Sequence, residues 1–515
     1  MMPRPRARGA QTLIRAALAV VLFALISHTL ADPDLWGHVW FGGETLSAWS
    51  IPRSHANSFT ADRPWINHGW LADCVIYVAY AIGGGPGLVV LKMAVVLLML
   101  TIVWNALNRE QVDATSRDLL IALVIIGTFQ QAHHVRPQVF SVALFAFMLA
   151  ILIRDGPVSR LLLIPPVFAL WVNLHGGWIV GGGVLTMWSL LTLPTSVSTG
   201  EKGALFLVGA LALVGTLANP YGWGMWEFLR TTVGFGRAEI TDWQPLYRLG
   251  TAYVAVWVLL VVPAAVGILH AWRGRPEWRR LVVVMALAVA SLQVSRLLAF
   301  FAIAVVMLLG RDIARSLSAR RTASTAAGTP QRRPAAVLAV VVAAVLIMGG
   351  AVALASNVSC VRMGEESPEP DIVALVKQRQ LQGRLAVWFD WGEYATWYFA
   401  PGLRVSIDGW RETAYSDEVM QKHLNFYYLP ASREAFLTEM RPDHIWLLAD
   451  LPVVSSLLED GWQPLYRGPR SVWLSRPDRA SDPDLGVSAN VDRTSGTPAP
   501  ALVERLVARR CFPGP

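Results

Sequence analysis

Asp32-Pro33-Asp34 sets two carboxylates one residue apart, directly after the first long apolar run of the chain. Carboxylates so close can share a divalent cation or raise one another's pKa. Either arrangement serves acid/base or metal-assisted group transfer. Asp-Pro-Asp is also a common helix start, in which Asp32 caps the next helix and Asp34 is merely solvated. Around the pair lie His38, Glu44, His55, Asp62, His68 and Asp73, interleaved with Trp36, Trp40, Trp49, Trp65 and Trp70. Further on, His133, His134 and Arg136 close one turn between apolar runs, and Asn173 and His175 close another. Asp32, Asp34, His38 and His133 together would form a mixed His/carboxylate metal site, whereas each histidine singly is an ordinary hydrogen-bonding residue. Arg136 and Arg296 are single cations at helix ends, suited to grip a phosphate bidentately. Lys92 lies about two turns inside its apolar run, where it either snorkels outward or meets a lipid phosphate.

The elements that must position these residues are membrane spans. The chain is 54% hydrophobic and 16% charged, against about a quarter charged in soluble domains, and its mean hydropathy is +0.43. Apolar runs near 20 residues recur, enough to cross roughly 30 Å of hydrocarbon as helices. They predict about eleven spans, at 12–30, 86–107, 119–133, 139–154, 161–173, 178–194, 204–218, 251–272, 281–295, 297–310 and 335–355. The first has the Arg-rich start of a signal peptide, but Ala31-Asp32-Pro33 is a poor cleavage site and an uncleaved anchor is expected. A cytoplasmic N-terminus puts Arg4, Arg6, Arg8, Arg109, Arg117, Arg154, Arg160 and the Arg273/Arg275/Arg279/Arg280 group inside, as the positive-inside rule asks. This bias accounts for much of the +8 charge, so no nucleic-acid partner is implied. It also puts Asp32-Pro33-Asp34, Asn67-His68, His133-His134, Arg136-Pro137-Gln138, Asn173 to Gly177, Asn219 to Gly222 and Asp242-Trp243 at the opposite, outer rim. With four lysines among 44 basic residues, the chain has the arginine bias of a GC-rich bacterial genome. A multi-pass protein of the bacterial cytoplasmic membrane is expected.

An odd span count leaves residues from about 356 outside the cytoplasm. There the pattern shortens to alternation, with strands at 385–389, 404–407, 444–448 and 471–474 and helices at 417–429, 432–440 and 453–458. The predicted class is mostly α: a helical membrane bundle over 1–355, whose first extracytoplasmic loop is 31–85, and a small extracytoplasmic α/β domain at 356–476. Segments 35–49 and 69–82 of that loop are expected as helices lying in the interface, with Trp rings at headgroup depth. A flexible cytoplasmic loop is expected at 316–334, and a disordered tail at 477–515. Cys360 and Cys511 would both lie outside, as one disulfide or as free thiols, while Cys74 sits in an apolar helix. Asp408-Gly409-Trp410-Arg411 either sets an acid and a cation over the membrane or ends a strand with a capped turn. Asp390 and Glu393 face the same choice.

Several short motifs resemble the GT-C superfamily of polytopic glycosyltransferases, in its bacterial dolichyl-phosphate-mannose mannosyltransferase-like branch. They are Asp32-Pro33-Asp34-Leu35-Trp36, Asn67-His68-Gly69-Trp70-Leu71, Phe389-Asp390-Trp391-Gly392-Glu393-Tyr394, Val405-Ser406-Ile407-Asp408-Gly409-Trp410-Arg411 and Tyr415. The resemblance implies transfer of a sugar from a polyprenyl-phosphate donor in the membrane lipid to an acceptor at the outer face. It makes Asp34 or Asp32 the general base, Asp34 being favoured as the deeper in the loop. Lys92, Arg136 or Arg296 would hold the donor phosphate, with His68, Asn173, His175, Asp408 and Arg411 as further substrate-binding candidates. Some members of the superfamily use a divalent metal and others none. The chain departs from the pattern where Pro33 separates acids that many relatives hold adjacent, and in its His-rich rim. An O-antigen polymerase or ligase is a second enzymatic reading, although such proteins carry their large loop between two spans. A transporter or a cell-envelope polysaccharide assembly factor is the non-enzymatic alternative. A transporter needs polar groups near the bilayer midplane, whereas here they gather at the rim.

Overall fold

Apolar chain kept from water satisfies its backbone by hydrogen-bonding within itself as helix. The computed structural model is accordingly mostly helical, with a small mixed sheet in its C-terminal part. It describes residues 5–195, 197–232, 240–274, 276–325, 333–364, 366–477 and 511–514. The chain divides into two compact units.

The first unit comprises Met1–Thr29, Pro86–Trp226 and Gly236–Val361. Among the described residues, four helices are long and apolar enough to cross a membrane: Trp70–Arg109, Thr251–Trp272, Ser295–Ala319 and Val340–Val358. Thr12–Ser27, Gln138–Leu152, Val158–Leu174 and Trp178–Thr192 are apolar but shorter. The count of about eleven spans expected from sequence is thus not confirmed. Some central apolar runs fold as shorter helices, such as the 15-residue Gln138–Leu152, below the roughly 17 residues of the shortest spans. The helices expected at 69–82 and from 86 occur as the two parts of Trp70–Arg109, which is broken at Gly84, whose φ is 58°. A glycine there followed by Pro86 explains the break, since only glycine takes that φ freely and proline lacks the donor that continues a helix. Helix Leu298–Thr325 lies at the centre, with every residue from Leu298 to Leu309 buried. It packs on Ala114–Ala132, Thr251–Trp272 and Trp278–Gln293. Small residues allow that approach, as membrane helix packing requires: a Cβ on Gly127 would lie 2.5 Å from the Ala302 methyl. The same helix runs to Thr325, so the first part of the loop expected at 316–334 is helical; 326–332 lie outside the described residues.

The second unit comprises Leu30–Gly85, Glu227–Phe235 and Arg362–Pro515. Residues 31–85, expected as a loop of the helical domain, thus fold with the C-terminal module. The five-stranded sheet has the order Leu403–Val405, Gly383–Val387, His444–Leu448, Ser471–Ser475, Gln463–Arg467, the first three parallel and the rest antiparallel. Strand Gln463–Arg467 was not anticipated because Pro464 interrupts its pattern; it is an edge strand with a register shift between Pro464 and Tyr466. The opposite edge is covered by the loop, where Val405 N–H donates to Asn57 O at 2.9 Å and Phe59 N–H to Val405 O at 3.0 Å. Leu30–Ala31 pairs in parallel with Arg362–Met363.

Burial of aromatic surface explains why the loop docks there. Trp65 is 1% exposed among Phe41, His55 and Trp410, and Trp36 is also buried. These rings, expected at headgroup depth, are part of the protein core, whereas Trp49 is 91% exposed. Of the tail, 478–510 lie outside the described residues, while Pro513 O accepts from Trp36 Nε1 at 3.0 Å and Tyr398 OH at 2.6 Å. Cys74 is a buried free thiol. Helices Leu35–Ala48 and Trp70 onward approach through Gly42, where a Cβ would collide with the Asp73 carbonyl. Gly42→Ala is expected to destabilise the protein by about 1–3 kcal/mol. An unchanged melting temperature in detergent would contradict this contact.

Candidate active site

Helix Leu35–Ala48 starts immediately after the acidic motif and places its residues. Asp34 occupies the N-cap position with φ −79° and ψ −12°, and makes no side-chain capping bond. Its carboxylate turns instead toward the C-terminal module. A Cβ on Gly409 would lie 2.5 Å from Asp34 Oδ1 and 2.9 Å from Glu393 Oε1, so the two carboxyl groups converge over one bare Cα. Glu393 Oε2 accepts the Gly37 N–H at 3.0 Å, and a Cβ on Gly37 would collide with the same carboxyl. Asp408 lies beside them, its Cβ 2.6 Å from where a Cβ on Gly392 would stand. Gly37, Gly392 and Gly409 thus make room for acids that any larger residue would push apart. Asp32, next to this group in sequence, is 3% exposed.

Two histidines hold the outer members of the cluster. His38 Nδ1 is 2.8 Å from Asp73 Oδ1, and Asn67 Nδ2 donates to Asp73 Oδ2 at 2.7 Å. His55 Nε2 donates to Asp408 Oδ2 at 2.5 Å, while Trp410 N–H donates to Asp408 Oδ1 at 3.1 Å. Burial works to lower the His38 pKa, but the charge and hydrogen bond of Asp73, followed by Asp34 and Asp32, raise it overall. Glu393 is pushed well above the usual carboxylate range, by burial first and then by Asp34, Asp408, Asp32 and Asp73. Titratable groups driven apart in this way, an imidazole favouring its cation and a carboxyl favouring its acid, are the raw material of acid/base catalysis.

The raised Glu393 carries a sign. Above the ordinary carboxylate range, the folded state binds a proton that the unfolded chain has released, so this residue's contribution to stability falls as pH rises. The melting temperature of Glu393→Gln, relative to wild type, is expected to increase between about pH 5 and about pH 8. A difference that does not vary with pH would contradict a proton held on Glu393.

Among the described residues, no group of three or more His, Cys, Asp or Glu side chains is arranged to hold a metal ion. Of the donor set considered from sequence, Asp32, Asp34, His38 and His133, His38 Nδ1 is engaged with Asp73 and His133 Nδ1 lies 2.9 Å from Phe129 O. Of the other candidates in this unit, Arg411 is 5% exposed and donates to Asp417 Oδ1 at 3.0 Å. His68 stacks on Phe228 at 5.9 Å.

The first unit gathers two of its predicted cations on one turn. Arg136 donates to Asp242 Oδ2 at 2.9 Å, and Arg296 lies over the Trp243 ring at 5.1 Å. Ser295 Oγ donates to Asp242 O at 3.1 Å and ties the two together. Lys92 is fully buried and donates to His28 O at 2.6 Å, at the C-terminal end of helix Pro5–Ser27, an end that favours a cation. Asn173 donates to Ala169 O and Ala218 O, both at 2.8 Å, as a turn-holding residue does. His175 Nδ1 accepts the Gly177 N–H at 3.0 Å and lies 2.7 Å from Ser141 Oγ. In the neutral ring the proton is then on Nε2.

The sequence left Glu393 between an acid set over the membrane and a turn cap. The available signal was the glycine beside each acid, Gly392-Glu393 and Asp408-Gly409, since glycine marks close approach as well as a turn.

No family model and no curated protein matches the chain. Solved structures do match. In particular, the chain is similar to the oligosaccharyltransferase AglB from Archaeoglobus fulgidus, solved with an inhibitory peptide and a dolichol-phosphate: TM-score 0.58, 12% identity, covering 85% of this chain and 69% of that one. It is also similar to ArnT from Cupriavidus metallidurans bound to undecaprenyl phosphate, with TM-score 0.52 and 16% identity over 90% and 97% of the two chains. The mycobacterial arabinofuranosyltransferase AftD has TM-score 0.51 and 15% identity, over 90% of this chain and 39% of that one. At these identities the likeness is one of fold.

Proposed function

We propose that this chain is an integral membrane glycosyltransferase that moves a sugar from a polyprenyl-phosphate donor to an acceptor at the outer face of the cytoplasmic membrane. The observation that carries the proposal is the convergence of Asp34 with buried Glu393 over Gly409. A carboxylate beside a second carboxyl that favours its proton is suited to act as a general base. In the proposed step, Asp34 takes the proton of the acceptor hydroxyl. The acceptor oxygen bonds to the anomeric carbon, and the bond from that carbon to the phosphate oxygen breaks, its electron pair leaving with polyprenyl phosphate. Arg136 and Arg296 are assigned to the phosphate, whose charge grows in this step, with Lys92 as a third candidate. The lipid phosphates in the AglB and ArnT structures support a donor of this class.

The experiment is sugar transfer by the purified protein in lipid, with a panel of labelled polyprenyl-phosphate sugars, with and without EDTA. Transfer from at least one donor is expected, and loss of it with EDTA would add a metal to the account. Folded protein that neither binds nor turns over any donor would leave the non-enzymatic reading, an assembly factor or transporter, in its place.

A further inference from the structure

A cleft of about 470 Å³ opens among Pro5–Ser27, the 86–109 part of Trp70–Arg109, and Ala114–Ala132, all within the first unit. That volume is in the range of small-molecule sites. Its polar residues sit at one end. Arg15 begins the first helix's contribution, Trp104 ends the second's, and Arg117 and Asp118 begin the third's. Beyond them the walls are apolar, through Leu22 to Ile26, Leu100 to Leu97 and Ile121 to Ile125. From Arg15 to Ile26 is about 16 Å of helix at ~1.5 Å per residue, about half of the ~30 Å hydrocarbon thickness. The cleft is as deep as one leaflet.

The charge at its end is not fully matched. Arg15 Nε pairs with Asp118 Oδ2 at 3.1 Å. Arg117 stacks over Trp104 at 4.1 Å and donates to Asn108 Oδ1 through Nη1. Its Nε–H is buried with no hydrogen-bond partner. A buried donor without an acceptor is costly, and two arginines against one aspartate leave the end net positive. An anionic oxygen would satisfy both conditions, and the slot beneath it takes a hydrocarbon chain.

We propose that this cleft binds one anionic phospholipid, its phosphate at Arg117 and Arg15 and one acyl chain lying in the slot down to Ile26 and Leu97. The site stands apart from the glycosyl-transfer reading and does not depend on it. A polyprenyl chain is far longer than a slot of one leaflet's depth, so a membrane phospholipid is the occupant assigned.

The test is native mass spectrometry of the full-length protein released from detergent, after exposure to phosphatidylglycerol or to phosphatidylcholine with the same acyl chains. Wild type is expected to retain one phosphatidylglycerol in preference to phosphatidylcholine. Arg117→Gln is expected to lower that retention by about fivefold, the worth of one arginine near an anionic headgroup. Leu100→Trp, which fills the slot and leaves the charges, is expected to abolish it. Equal retention of the two lipids, or phosphatidylglycerol retention unaffected by both substitutions, would overturn the proposal. Should either variant fail to fold, phosphatidylglycerol with a photoreactive acyl chain, crosslinked to wild type, decides the matter. Adducts on 97–104 and 117–125 are expected, and adducts confined to other helices would overturn it.

Discussion

Asp34→Asn is expected to lower sugar transfer by about 10²–10⁴-fold, the usual worth of a positioned general base. The amide keeps the shape of the carboxylate but cannot take the acceptor proton, so the loss should appear in kcat with donor binding largely preserved. Asp32→Asn discriminates the two acids. Asp32 is buried and raises the pKa of both His38 and Glu393, so its loss should alter the pH profile more than the maximal rate. The comparison is made by measuring transfer and melting temperature on the two variants together. If Asp32→Asn proves the more damaging to kcat at every pH, the assignment of the base to Asp34 is wrong.

Asp408→Ala is expected to destabilise the protein by about 3–5 kcal/mol, as removal of one partner from a buried pair does. Asp408 and His55 are both fully buried side chains 2.5 Å apart, one from the module and one from the first loop. The pair lies against Trp65 and Tyr415, stacked or tilted on the His55 ring. Truncating Asp408 leaves His55 Nε2–H and the Trp410 N–H without their acceptor. Asp408→Asn keeps one carbonyl oxygen and should cost much less. Thermal unfolding of the two variants in detergent checks this. Equal melting temperatures for Asp408→Ala and wild type would mean that the pair does not join loop and module. Asp408 was expected from sequence either at the substrate or capping a turn, and its bond to Trp410 N–H two residues on is that of a turn cap.

What the sequence made legible follows from what is local. Alternation predicted strands at 444–448 and 471–474, and they occur at His444–Leu448 and Ser471–Ser475. Helices expected at 35–49 and from 69 occur at Leu35–Ala48 and from Trp70. Gly409 against Asp34, or His55 on Asp408, joins residues more than 350 apart, and no periodicity records such a pairing. Glu393 was undervalued for that reason: its meaning depends on Gly37, which only the fold brings to it. The span count is not confirmed by the four long apolar helices among the described residues, because apolar composition alone does not fix where a helix begins and ends. Lys92 kept two readings at the sequence level, and neither named the carbonyl of His28, at the end of another helix, to which it donates.

The central claim, that the acids of the first loop serve glycosyl transfer, is tested most directly by the release of polyprenyl phosphate. Purified wild type and Asp34→Asn, both shown to be folded, are incubated with the same labelled polyprenyl-phosphate sugar and an extract of acceptor lipids and glycans. Release with wild type, accompanied by label in the acceptor and reduced by about 10²-fold or more in the variant, is predicted. Equal release by the two proteins would remove Asp34 from the chemistry, and no release by wild type from any donor in the panel would contradict the transferase itself.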